Sequence, residues 1–432
     1  MNKKAVEWLY HELPELVAKE IIPAESAERI KKHYGPVTDS TGPKTFLLVF
    51  GVIGSLLVGL GIVLILAHNW EHLSRLNRLV IALGLLVAAQ VLAGSVLWFK
   101  RDSLAWREAA ATLLMLMVGT AIALVGQTYH LVEDTDAFLL NWLLLSLPLL
   151  YLMDSVSIAV LYTLGVTNWA VSGYFDVSKQ FIWVLLGLLL PYYWNLLQHR
   201  RYANSTVILS WVVSICLYFC FGAAFGGYLA NLGLLIYSSL FASHYLTGVL
   251  WFSQHEQSWR MPFKTVGLTG NIGLVFILTF HDIWRHITLN RETVPFAAFL
   301  LAAILLAAVS GGNYLLARQA NRDSWRFATI PFVIAVAYVC QHLDSSGWGA
   351  TAIMNAYVLW LSSGIIINGV GRRSLGIVNA GMVLLAALIV ARFFDIELSF
   401  VVRGVAFVLV GLGFLAANLV LARRKAGWDH EK

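Results

Sequence analysis

The chain has 432 residues, of which 59% are hydrophobic and only 12% charged, with a formal charge of +6. That charged share is about half that of a soluble protein, and the apolar residues run in uninterrupted blocks of about 20, more than one water-soluble core can bury. Collagen-like, disordered, disulfide-rich and nucleic-acid-binding classes fall on the same figures, which leaves an all-α polytopic membrane protein.

At the N-terminus, Val6, Leu9, Tyr10, Leu13, Leu16 and Val17 recur at helical spacing, with Glu7, Glu12, Glu15 and Lys19 between them. Pro23 opens a second helix, with Glu25 in its first turn, where the helix dipole favours negative charge. Ala27, Ile30 and Tyr34 form its face, Gly35-Pro36 stops it, and 38–43 is linker. Residues 1–45 therefore read as a cytoplasmic helical hairpin and linker. Two uses stay open: a piece docked under the membrane domain, or a module over residues 3–34 that binds a cytoplasmic protein. The first 45 residues are polar and charged, with no secretory signal, so the expectation is that a retained first span drives insertion.

A hydrocarbon core of ~30 Å needs ~20 apolar residues at 1.5 Å each. Uncharged runs give about 14 transmembrane helices: 46–66, 79–99, 109–126, 137–153, 156–174, 181–197, 206–225, 228–252, 266–280, 294–317, 327–340, 350–370, 375–390 and 404–422. Their length and all-round apolarity exclude barrel strands, which are ~10 residues of alternating polarity. Runs 266–280 and 327–340 approach re-entrant length. With all fourteen crossing and both termini cytoplasmic, 23 of the 30 Lys+Arg lie on the cytoplasmic side. Without a crossing at 327–340, Arg372, Arg373 and the basic tail move outside and that bias collapses, although twelve or thirteen spans stay open. The positive charge thus reports orientation in the membrane rather than a ligand.

The opposite face is acidic and rich in histidine: His68, Glu71 and His72; Gln127, Tyr129, His130, Glu133, Asp134 and Asp136; Gln341, His342 and Asp344. Parts of it recur. Pro43-Lys44-Thr45, a span, then His68, His72 and Leu76-Asn77-Arg78 is echoed by Pro262-Phe263-Lys264-Thr265, a shorter span, then His281, His286 and Leu289-Asn290-Arg291. Gln127 and His130 are echoed by Gln341 and His342, and Asn141 by Asn355. The spacing describes a parallel 6+2+6 internal repeat, its copies related by an axis along the membrane normal. The expected divisions are 1–45, a first bundle 46–197, two added helices 198–260, a second bundle 261–422 and a basic tail 423–432.

Most motifs lack the context their chemistry needs. His68-Asn69-Trp70-Glu71-His72 matches H-x-x-E-H, but it sits where a span leaves the membrane and no third ligand is identifiable. Its plainer reading is an interfacial anchor. Gly411-Leu412-Gly413-Phe414-Leu415-Ala416 fits a dinucleotide pattern but lies inside an apolar span with no strand before it. Gly51, Ser55 and Gly59, and Gly222, Gly226 and Ala230, are faces for close helix packing. Cys216, Cys220 and Cys340 read as small packing residues. No catalytic residue, cofactor or metal site follows, and the expectation is a protein that is not an enzyme.

Within the spans, His244 is the main ionisable residue, and asparagines such as Asn141, Asn271, Asn313 and Asn355 are scattered among the helices. Asparagine at depth mostly bridges helices, whereas an ionisable residue there is a functional candidate. The candidate polar path or gate is His244, Asn141, Asn355, Gln127, His130, Gln341 and His342.

Trp8-Leu9, Ile21-Ile22-Pro23-Ala24-Glu25-Ser26-Ala27-Glu28-Arg29-Ile30 and Tyr34-Gly35 lead into a glycine-rich first span ending Ala67-His68-Asn69-Trp70. With Gly126-Gln127-Thr128-Tyr129-His130, Asn141-Trp142 and the terminal Arg403-Gly404, Gly411, Asn418 and Arg423-Arg424, this resembles the bacterial membrane family catalogued as domain of unknown function 2157. The resemblance is strongest over 5–175 and implies a bacterial cytoplasmic-membrane protein; it carries over no activity. The expected function is transporter-like or translocase-like handling of a neutral or amphipathic solute. The rivals are a membrane scaffold or sensor working through the N-terminal hairpin, and an intramembrane enzyme. The bilayer is the expected partner, and no nucleic acid is.

Overall fold

The computed structural model describes residues 9–34 apart from 11, 15, 18 and 20, then 41–69, 73–129, 135–172, 180–229, 232–252, 258–287, 296–318, 325–395 apart from 345 and 373, and 408. Among these residues every regular element is helical. The chain divides into two compact units, 1–162 and 163–432.

In the first unit, residues 9–34 form the expected hairpin. Helical positions between 9 and 17 precede α1 (Ala24–Tyr34), and the Tyr10 hydroxyl donates to the Lys31 carbonyl at 3.0 Å. Leu13 and Ala27 are buried. The long helices are α2 (Thr41–Asn69), α3 (Arg75–Phe99), α4 (Leu104–Tyr129) and α5 (Thr135–Leu152), followed by the start of α6 (Val156–Ser172). α2, α3 and α5 all pack on α4, which makes α4 the axis of this unit. Small residues explain that. A Cβ on Gly51 would lie 3.6 Å from Ala109 of α4, one on Gly59 2.7 Å from Leu116, and one on Gly119 of α4 2.7 Å from the Trp142 ring. The Trp142 indole N–H donates to the Met115 carbonyl at 2.7 Å, so α5 is fixed to α4 by both packing and a hydrogen bond.

The second unit is built around α9 (Gly233–Trp251). It packs against α8 (Asn204–Leu229), α10 (Pro262–Ile277), α12 (Phe296–Arg318) and α14 (Ile330–Asp344). α7 (Ile182–His199) pairs with α8, a five-residue α11 (His281–Arg285) follows α10, and α13 (Trp325–Ala328) leads into α14. α15 (Trp348–Gly371) pairs with α16 (Leu375–Asp395). The α9–α10 contact is the closest. A Cβ on Gly248 would meet the Lys264 backbone, its Cα at 2.7 Å, and one on Gly267 would meet the backbone of Phe241 and Tyr245. Buried Trp284, Tyr338, Met354 and Ile330 anchor the core, with the Trp284 and Tyr338 rings edge to face at 5.4 Å.

Among the described residues nine helices are long and apolar enough to cross a membrane, against the fourteen spans read from the sequence. The first span lies in α2 (Thr41–Asn69), of which Leu47–Ile62 is the apolar part among the described residues, and the fifth holds a shorter apolar helix, Val156–Ser172. The sixth, α7, is diluted by Pro191, Tyr192, Tyr193, Trp194 and Asn195. The ninth, α10, stops at Ile277 and breaks over Leu278–Phe280. The fourteenth, 404–422, lies outside the described residues apart from Val408. The run 327–340, short in the sequence, is part of a 19-residue apolar helical stretch, Arg326–Asp344. The fourteen-span count and the 6+2+6 grouping therefore stay readings of the sequence.

Candidate functional site

The residues named for a polar path occupy separate places. In the second unit Gln341 and Asn355 meet around the break that follows α10. Gln341, 5% exposed, donates from Nε2 to the Trp284 carbonyl at 3.0 Å, and Asn355 Nδ2 donates to the Thr279 and Thr351 carbonyls at 3.0 and 2.8 Å. The Trp284 indole closes the same turn by donating to the Leu278 carbonyl at 2.8 Å. Arg392 of α16 reaches it too, 3.4 Å from the Thr279 hydroxyl and 4.8 Å over the Phe280 ring. A chain that leaves a helix inside apolar surroundings exposes carbonyls that need donors; the side chains of Trp284, Asn355 and Gln341 supply them to Leu278, Thr279 and Trp284. His281 stacks on Trp348 with ring centroids 4.1 Å apart, while His342 is exposed on the last turn of α14.

His244 lies elsewhere on α9, between the rings of Tyr218 and Phe263 at 5.7 and 5.0 Å, with its Nε2 buried and lacking a hydrogen-bond partner. Gln127 and Asn141 belong to the first unit, where both are exposed, on the last turn of α4 and the second turn of α5. The echoed pairs thus hold matching places in the helix order but different environments. His130, the 70–72 part of the H-x-x-E-H motif and the dinucleotide-like 411–416 lie outside the described residues. Among the described residues no group of three His, Cys, Asp or Glu is placed to hold a metal ion.

A different place in the second unit has the shape of a binding site. A groove of about 1000 Å3 opens between α10 and α16, bounded also by residues of α9, the α13 region and α15. Its length is apolar, with Leu268, Ile272 and Phe276 of α10 facing Ile377, Val383 and Leu384 of α16. Lys264, Arg326 and Arg372 also line it, and no carboxylate does among the described residues. Lys264 sits in the first turn of α10, ahead of the apolar run. Burial first, and the charge of Arg372 second, hold its amine below the ordinary lysine range.

Arg326 is the residue the sequence hid. It stands in a linker by count, yet its Nη1 donates to the Gly364 carbonyl at 2.7 Å, and its guanidinium lies 5.9 Å over the Trp360 ring. Gly364 is one turn before Asn368, whose Oδ1 accepts from Arg372 Nε at 3.1 Å, so the Arg326 and Arg372 charges lie ~6 Å apart along α15. The seat is built for it. A Cβ on Gly364 would stand 2.6 Å from Nη1, and the Arg326 carbonyl accepts from the Tyr357 and Thr329 hydroxyls at 2.7 and 2.9 Å. Its Nε is buried without a hydrogen-bond partner.

Glu108 is the other residue that sequence reading passed over. It is 2% exposed at the start of α4. Its carboxylate accepts from the Val156 and Ser157 backbone N–H groups, each at 2.9 Å, and from the Ser155 hydroxyl. It caps the N-terminus of α6, where the dipole favours an anion. The only sequence signal was its position one residue before an apolar run. Its chemistry is that of a helix cap.

Residues 14–159 match the family described as "Predicted membrane protein (DUF2157)". The match runs from the hairpin into the start of α6, and the resemblance drawn from the hairpin motif, the first span and Asn141-Trp142 is to that family. No curated protein and no solved structure matches the chain.

Proposed function

We propose that this membrane protein is transporter-like or translocase-like and handles an amphipathic solute, with the groove between α10 and α16 as the solute's place. The groove is the observation that carries this reading: one wall suits hydrocarbon, and its cations suit a polar head. The path residues from the sequence enter as supports. Gln341 and Asn355 hold the break after α10 and so shape that wall. In the same reading the basic ends face the cytoplasm of a bacterial cell, the two halves descend from a 6+2+6 repeat, and the chain catalyses no covalent reaction.

The test is movement of a fluorescent phospholipid between leaflets of vesicles holding the purified full chain, read by adding a membrane-impermeant reductant. Transport predicts bleaching of the inner-leaflet dye as well as the outer, slowed by Ala380→Trp, which fills the groove. Bleaching limited to the outer leaflet, as in empty vesicles, rejects it. A second reading, a scaffold or sensor, is favoured by the hairpin, whose two arms are tied by the Tyr10–Lys31 bond. Deleting residues 1–40 separates the two: the scaffold reading requires loss of the cellular phenotype, and the transport reading requires the vesicle assay to persist.

A further inference from the structure

The chemical class of the groove's ligand follows from where its charges sit. A guanidinium at the depth of Gly364 is costly in hydrocarbon unless an anion or water compensates it. One of its N–H groups goes to the Gly364 carbonyl and its face to Trp360, both neutral partners. Lys264 and Arg372 line the same groove, where burial first and the Arg372 charge second hold the Lys264 amine below the ordinary lysine range, an arrangement that an anion between them relieves. No carboxylate of the chain lines the groove among the described residues.

The apolar part then decides between a soluble anion and a lipid. From Lys264 to Phe276 along α10 is twelve residues, or ~18 Å, close to the ~15 Å of one leaflet's hydrocarbon. Gly376, Ala380 and Val383 of α16 are exposed, so this wall is open to the side rather than roofed over. A soluble phosphate has no use for such a wall. Basic pockets between helices at the cytoplasmic membrane face, by contrast, suit anionic lipid head groups.

We propose that the groove binds an anionic phospholipid of the leaflet at its basic end, with the phosphate among Lys264, Arg326 and Arg372 and an acyl chain along Ile272, Phe276 and Val383. This deepens the transport reading and rests on the groove as the solute's place.

The test is native mass spectrometry of the full chain with equal amounts of phosphatidylglycerol and phosphatidylcholine. Phosphatidylglycerol should be retained preferentially, and Lys264→Gln should cut the preference roughly fivefold, as loss of one basic charge near the surface implies. Lys264→Arg should restore it, which removes misfolding as a cause. Gly364→Ala, by displacing the Arg326 guanidinium, should also lower it. Equal retention of the two lipids, or an unchanged preference in Lys264→Gln, overturns the proposal. So does displacement by millimolar inorganic phosphate as effective as by lipid, which assigns the site to a soluble anion. A dimer retaining neither lipid also overturns it and gives the groove to a second copy. Selective retention without dye movement in vesicles leaves the binding site standing and removes the transport reading alone.

Discussion

Single polar residues in this chain do different work according to what their backbone neighbours lack. The Ser238 hydroxyl and the Asn271 amide stand 2.8 Å apart between α9 and α10, and Asn313 donates to the Ala328 carbonyl at 3.2 Å. With Asn355 on Thr279, these asparagines bridge helices, as the residue type predicts in an apolar setting. Glu108 caps α6 with charge-assisted bonds, each stronger than a neutral one. Glu108→Gln keeps the volume but puts an amide N–H2 against backbone donors, so it should lower unfolding stability by about 2 kcal/mol. An unchanged denaturation midpoint of the purified protein would show that the cap carries no such share. Arg326 shows the limit of residue-by-residue reading. In the sequence it is one more linker cation; in the fold a glycine one helix away gives it room to lie along α15.

Helices in this protein are held together by the absence of side chains as much as by their presence. The faces Gly51-Ser55-Gly59 and Gly248, Gly267 let α2 meet α4 and α9 meet α10. In lipid there is no hydrophobic gain from hiding one greasy helix behind another, so close backbone approach and dispersion supply the attraction. Gly248→Ala must push α10 away at the Lys264 backbone and should destabilise by about 1–3 kcal/mol. Gly54→Ala, with nothing within 4 Å of the added carbon, should be neutral or stabilise by up to ~1 kcal/mol. Thermal midpoints of the two variants that move together would overturn the packing assignment. The Gly51-Ser55-Gly59 spacing was legible in the sequence; Gly248 and Gly267, one on each helix, show no such spacing, and which helix each glycine meets was not legible, because small faces are interchangeable until long-range contacts select partners.

For the molecule as a whole, the strongest prediction is alternation across the bilayer. The fourteen-span reading of the sequence requires the linker at Asp102 and the loop at Ser346 to lie on opposite sides. Short epitope tags inserted at these two points should be reached by antibody from opposite faces of sealed vesicles, and tags found on one face would break the threading. The linear chain by itself determined that the protein is helical, built from membrane-length apolar helices, and headed by a short hairpin, since these follow from local composition and from the need to satisfy every backbone group in lipid. Tertiary structure alone decided that α10 stops short and is tied off by Trp284, Gln341 and Asn355. It also decided that Lys264, Arg326 and Arg372, separated by as many as 108 residues, line one apolar groove. Charge and hydropathy are properties of a segment, but a binding site is a property of distances between segments, and only packing sets those.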